Sequence, residues 1–245
     1  NSLKAQYKNI ETSKTPQNNI DSLRDENTFT VVTGHQLNLF TGPLYFLYKI
    51  VSTINLAKKL NREYPKNHFV PVYWMATEDH DFDEINYFNL HGKKVLWNKK
   101  ASGAVGRLST DGLEDVFEIF AAELGNLGLT DNLKELFKKA YLEHETLTEA
   151  TRYLANALFG EHGLVIVDGD DKDLKQLLVP YAKKDILEHT PFHKISETID
   201  ALGKVSSEYN IQVNPREINY FYLKDGLRER IVEKNGKYGV VGTQI

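Results

Sequence analysis

The stretch "VVTGHQLNLFTGPLYFLYKI", residues 31–50, carries the plan of this chain. With Phe29 and Thr30 ahead of it, its start completes an apolar, β-branched run, "FTVVT" (29–33), which is strand chemistry. "TGHQ" then breaks the run. "TGP" reads as a helix start, with Thr41 or Gly42 as the cap and Pro43 in the first turn, where a missing N–H costs nothing. Beyond it Leu47, Ile50, Val51, Ile54 and Ala57 recur at helical spacing over 43–61. A strand that runs through a glycine-bearing turn into an amphipathic helix is the opening unit of an α/β sheet.

The same alternation continues along the chain. "FVPVYWMAT" (69–77), "KVLW" (94–97) and "GLVIVD" (163–168) are further buried-strand candidates, rich in β-branched and aromatic residues and bounded by Gly, Asp or Pro. Helical patterns lie over 111–125, 131–159 with a break, 172–189 and 194–209. Strands separated by helices imply crossover connections and a mostly parallel sheet, so the fold class expected is α/β, an open Rossmann-like sheet with flanking helices. Near the end, "INYFYL" (218–223), "ERIVE" (229–233) and "KYGVV" (237–241) are strand candidates, the last two joined by the turn signal "KNG".

Residues 1–28 are polar and rich in Asn, Ser and Thr, which predicts a poorly ordered lead-in followed by one α/β domain over 29–245. Hydrophobic residues make up 41% and charged residues 26% of 245, an ordinary globular balance. Lys and Arg total 30 against 34 Asp and Glu, and no basic run is interleaved with aromatics, so nucleic acid is not the expected partner. No window approaches the roughly 18–20 apolar residues of a membrane helix, and the first residues carry no apolar signal segment, so a cytoplasmic location is expected. The absence of cysteine removes thiolate nucleophiles and sulfur-ligated metals. The chain starts at Asn1 and stops in a strand-like run, which suggests a fragment of something longer.

In an open α/β sheet, ligands sit beyond the carboxyl ends of the strands, so the residues just after each strand carry the chemistry. After the first strand come Gly34, His35 and Gln36, then Thr41 and Gly42 at the helix start, where an anion such as phosphate or carboxylate is favoured. His35 has a packing alternative, an imidazole bonded to a carbonyl in a tight turn. After the second strand comes "TEDHDFDE", which crowds Glu78, Asp79, His80, Asp81, Asp83 and Glu84 together. Asp79, His80 and Asp81 are assigned to a site, and Asp83 and Glu84 to caps or surface. After the fourth comes "DGDD", where Asp168 points off the strand as a site candidate and Asp170 or Asp171 reads as a helix cap.

No metal is expected. His35, Asp79, His80 and Asp81 could supply ligands, but adjacent residues on an extended chain face opposite ways and cannot share one ion without a turn. There is no G-x-S-x-G elbow, no P-loop and no G-x-G-x-x-G fingerprint.

"TGHQLNLFTGPLYFLYKI" (33–50), "FVPVYWMATEDHDFDEI" (69–85), "FGEHGLVIVDGDDKDLK" (159–175) and "YFYLKDGLRERI" (220–231), in this order, resemble the cysteine ligase family of bacillithiol biosynthesis. The resemblance runs from about Phe29 to the end. It implies a Rossmann-like core with helical appendages including a long coiled coil, in members considerably longer than this chain. It also implies a carbon–nitrogen ligase that joins the cysteine carboxyl to the amine of glucosaminyl-malate. Whether ATP or ADP takes part is left open, the family's nucleotide site lying toward its carboxyl-terminal region, and a homodimer is left open too.

On that resemblance Asp79, His80, Asp81 and His35 are the catalytic candidates, binding sugar hydroxyls or accepting the amine proton. Gly34, Gln36, Thr41, Gly42, Asp168 and Arg228 are the substrate-binding candidates, with Arg228 as a carboxylate fork and Lys49 assigned to the surface. The family's first motif usually has glutamine where His35 stands, which makes Gln36 the alternative carry-over. Two other functions fit the same rim: a nucleotidyl-transferring enzyme and a non-catalytic sugar- or nucleotide-binding domain.

Overall fold

The structure, a computed structural model, describes residues 1–8, 10–125 and 128–245. Two compact units make up the chain, Asn1–Asp171 and Lys172–Ile245.

The first unit is organised on a parallel sheet of order β1-β2-β5, with β1 at Thr28–His35, β2 at His68–Met75 and β5 at Val165–Asp168. The long helix α3 (Tyr45–Glu63) packs on β1 and β2 through Phe46, Ile50, Thr53, Ile54 and Ala57. Burying Phe46 and Ile50 contributes on the order of 2 kcal/mol each. The α/β, Rossmann-like class read from the sequence is the class observed.

Four expectations change. Residues 1–28 carry two helices, α1 (Ser2–Gln6) and α2 (Lys14–Ser22), and Tyr7, Asn19 and Ile20 are buried. This segment finishes the sheet. Tyr7 Oη accepts from the Ile166 amide at 2.7 Å, and Gln6 Oε1 accepts from the Asp168 amide and from Arg152, each at 3.0 Å. Side chains thus satisfy the amides that β5 turns away from β2, which is why a polar segment can pack there.

The run at 29–33 is less buried than its composition predicts. Phe29 and Val32 are 48% and 54% exposed, because β1 is at an edge of the described sheet. "KVLW" does not join the parallel sheet. Its strand β4 (Lys93–Leu96) pairs antiparallel with β3 (Tyr87–Leu90), after the short helix α4 (Phe82–Ile85). The turn between them is His91–Gly92, with φ of 49° and 78°, the left-handed pair that a tight hairpin requires. Nor do Thr41 and Gly42 cap α3, which begins at Tyr45 behind Leu44.

Between β4 and β5 lie three helices, α5 (Leu113–Leu124), α6 (Thr130–Tyr141) and α7 (Leu147–Phe159), the last opened by a Thr146–Glu149 capping box. They supply an aromatic cluster that fixes the turn after β1. Phe40 has its ring centroid 4.8 Å from that of Phe120 and 5.3 Å from that of Phe137, and its amide donates to Tyr141 Oη at 2.8 Å. Phe40, Thr41 and Gly42 all have positive φ, at 43°, 71° and 51°. Such strain costs about 1–3 kcal/mol per non-glycine residue and persists only where the surroundings hold it.

The second unit contains α8 (Lys172–Glu188), α9 (Thr190–Val205) and an antiparallel meander, β6 (Phe221–Lys224), β7 (Leu227–Lys234) and β8 (Lys237–Val240). The expected hairpin turn lies at Asn235–Gly236, both at positive φ.

Candidate functional site

Hydrogen bonds gather the three polar clusters onto one rim. Gln36 Nε2, after β1, donates to Asp79 Oδ2 at 3.0 Å and to Glu84 Oε2 at 2.8 Å, both beyond β2. Thr77, fully buried after β2, donates to Asp168 Oδ1 at the end of β5 at 2.5 Å. Backbone bonds reinforce both links, from Ala76 N to His35 O and from Gly169 N to Met75 O. Parallel pairing ends all three strands at the same edge, so residues far apart in the sequence meet there.

His35 is 6% exposed, its ring set between Tyr45 and Phe46 at centroid distances of 4.9 and 5.1 Å. Nδ1 lies 3.1 Å from Gln36 O, and a carbonyl can only accept, so Nδ1 carries the proton. Nε2 is then a bare acceptor, buried and without a partner among the described residues. Burial pulls the imidazole's pKa down and the Lys49 cation adds to that, against the bond to Gln36 O, so the ring is neutral at pH 7. Lys49, assigned to the surface from sequence, is exposed, and from there it reaches back along α3 and donates to Gly34 O at 2.6 Å. His35, Lys49, Tyr45 and Ala76 line an open, shallow pocket of about 290 Å³ with Gly34 and Gln36.

Gly34 is not there for conformational freedom. It is regular strand, and a Cβ at that point would meet nothing nearer than Trp74 O at 3.9 Å. Gly42 is required: its φ is positive, and a Cβ would fall 2.4 Å from Asn38 Cβ. Thr41 shares the strained turn, and the cavities beside the turn do not include it in their lining.

Asp79 is ionised and fully engaged. Burial works against its charge, but bonds from the Gln36 side chain, the His80 amide and ring, and the Asp81 amide outweigh it and hold the carboxyl below the usual range. Such a carboxylate orients Gln36 and is a poor proton acceptor. His80 has Asp79 Oδ1 3.3 Å from Nδ1 and Asp81 Oδ1 3.3 Å from Nε2. The chain turns here, so the extended-backbone argument against a shared ion does not apply. One ligand-type atom from each of Asp79, His80 and Asp81 lies within 4.8 Å of the others, in a half-exposed cluster whose members already bond one another.

Beyond β5 the acids hold structure. Asp168 Oδ1 accepts from Thr77 and from the Asp170 amide at 2.9 Å, and Asp170 takes Arg107 in a two-pronged contact, Nε to Oδ2 at 2.5 Å and Nη2 to Oδ1 at 3.1 Å. Asp170 is thus tied to the turn Val105–Arg107. Arg228 lies on β7 in the second unit, its guanidinium 3.8 Å from the Phe221 ring centroid.

A cavity of about 760 Å³ opens between the Phe40–Gly42 turn and the β3–β4 hairpin, with Gln36, Asn38, Asp83, Glu84, Tyr87 and Lys94 among its walls. Sequence reasoning passed over Asn38 and Arg107, and it set Glu84 aside as a cap or surface acid and Lys49 as surface. Lys49 had a signal, since it stands one helical turn beyond Tyr45 and shares its face. Asn38 had none, and Glu84 stood in the acidic run without a mark of its role, because only the tertiary link through Gln36 and the Glu84 carbonyl brings them to the rim.

Comparison with known proteins fits this architecture. Residues 1–245 match the family model for the bacillithiol biosynthesis BshC N-terminal Rossmann-like domain. A protein of Flavobacterium johnsoniae named "Putative cysteine ligase BshC" is 57% identical over 245 residues, covering all of this chain and 46% of that protein. Proteins of the same name from Cytophaga hutchinsonii and Bacillus cytotoxicus are 42% and 29% identical, covering 99% and 94% of this chain and 44% of each relative. The chain spans about half the length of the curated relatives it matches. A match over every residue, on a parallel sheet flanked by helices, means that the chain belongs to the bacillithiol biosynthesis BshC family, as its N-terminal Rossmann-like domain.

Proposed function

We propose that this chain is the Rossmann-like half of a cytoplasmic ligase that joins the carboxyl of cysteine to the amine of glucosaminyl-malate in bacillithiol biosynthesis. The observation that carries the reading is the kinship, at 57% identity over all of this chain and 46% of the relative, to a protein bearing the ligase name. The geometry supports it with the groups that an amide-forming reaction needs.

An acyl group activated as a phosphate or adenylate loses that group as the carbon–nitrogen bond forms, and the amine gives up a proton. The attacking amine must be neutral. In this reading His35 Nε2, neutral and unpartnered, is the acceptor for the amine proton. Asp79 does not compete for it, because its low pKa keeps it ionised; its part is to fix the Gln36 amide. Lys49 supplies positive charge beside His35 for an anionic substrate group or the developing oxyanion. The cysteine carboxyl would be activated by ATP, whose consumption is part of the test.

The test uses the full-length protein with glucosaminyl-malate, cysteine and Mg-ATP, reading bacillithiol by mass and nucleotide turnover in parallel. Product is expected, and Asp79→Ala and His35→Ala should each lower its rate by about a hundredfold or more. No product under any nucleotide condition would remove the ligase reading.

A further inference from the structure

We propose that the 760 Å³ cavity between the Phe40–Gly42 turn and the β3–β4 hairpin is a subsite for the primary ammonium group of a small ligand. The observation that points to a ligand is Asn38. It is 5% exposed and lines the cavity, its Nδ2 donates to the Glu84 carbonyl at 3.3 Å, and its Oδ1 is buried with no donor among the described residues. A buried acceptor without a donor is costly to keep, and the strained turn is built around this side chain: any Cβ at residue 42 would fall 2.9 Å from Asn38 Cγ.

The other walls ask for the same chemistry. Both N–H groups of Gln36 are spent on Asp79 and Glu84, so the face its amide has left to offer is the oxygen. Asp83 and Glu84 bring two carboxylates to the lining, with Asp79 directly behind Gln36. The cation in the lining, Lys94, sits with Nζ 3.7 Å from the Tyr87 ring centroid. An acceptor-rich wall with surplus negative charge repels carboxylate and phosphate and fits a group with three donors and no acceptor, which is what an ammonium is. The proposal shares its rim with the ligase reading but does not require that an amide be formed. Such an ammonium can come from an amino acid or from an amino sugar.

The experiment is calorimetric titration of the protein with L-cysteine and with glucosamine, each paired with its N-acetyl derivative, which removes the charge and two of the three N–H donors while adding an acetyl group. At least one amine should bind saturably and its acetylated partner at least tenfold more weakly. Cysteine alone would assign the subsite to an amino acid, glucosamine alone to an amino sugar. Glu84→Gln and Asn38→Leu, first checked for an unchanged thermal transition, should each weaken that binding at least tenfold, whereas Glu118→Gln on the exposed face of α5 should leave it intact. If neither amine binds, if acetylation makes no difference, or if Glu84→Gln binds like the parent, the subsite is wrong. Those results are independent of product formation by the full-length protein, so the two readings fail separately.

Discussion

The turns after β1 and β5 leave the same edge of the same sheet, and both are polar, yet they do opposite work. After β5 the aspartates are engaged: Asp168 holds Thr77 and the Asp170 amide, and Asp170 holds Arg107 in two bonds, leaving Glu78 Oε2 beside Gly169 as a buried oxygen with no partner among the described residues. After β1 the turn's own polar groups are open, since His35 Nε2 and Asn38 Oδ1 are buried with no partner among the described residues. The β5 turn carries the higher density of charge and would attract more notice in a sequence. Unsatisfied hydrogen-bonding capacity, rather than the number of acids, marks where a ligand is expected.

The contrast is tested hardest at Gly42. Gly42→Ala places a Cβ against Asn38 at a positive φ and should cost about 3 kcal/mol, read from urea unfolding. A loss under about 1 kcal/mol would mean that the β1 turn relaxes easily and is not pre-organised.

At the closed end, Arg107→Ala leaves the Asp170 carboxylate, whose side chain is only 9% exposed, without its forked partner. A loss of about 2 kcal/mol is expected in the same assay. If stability does not change, the β5 turn is not a lock and the contrast weakens. Tyr7→Phe tests the closure further back by taking the acceptor from the Ile166 amide, for about 1–2 kcal/mol; a neutral result would mean that the amino-terminal segment does not finish the sheet.

The weakest effect is a pH dependence. The folded pKa of His35 is below its ordinary 6.5, so in the window beneath 6.5 the unfolded chain binds more protons and stability rises with pH. The contribution is complete above 6.5 and is lost as pH falls through 6.5 toward the lower folded value. His35→Gln should flatten that limb of the denaturation midpoint against pH. An unchanged slope would assign the acid limb to other groups.

The β1–α3–β2 unit was legible in the sequence because apolar, β-branched runs bounded by Gly, Asp or Pro mark buried strands and burial of one helix face imposes a period of 3.6 that the order of residues displays. The rim was legible as a place, since Gln36, Asp79 and Asp168 each stand at or just beyond a strand end and parallel pairing brings strand ends together. The order in the lead-in was not legible: its apolar content is low, and it docks by side-chain bonding from Gln6, Tyr7 and Asn19, which has no period. The sheet that "KVLW" joins was hidden too, because a strand's own residues do not name its partner; the His91–Gly92 turn does.

The fold class, the family motifs and the edge of the sheet at which polar chemistry collects were therefore properties of the sequence alone. They rest on local periodicity and on order along the chain. Which polar atoms are spent and which remain was settled in three dimensions. Lys49 reaching Gly34, Glu84 joining Gln36 and Arg107 closing on Asp170 are contacts between elements, and hydrogen-bond satisfaction exists only once those elements have met.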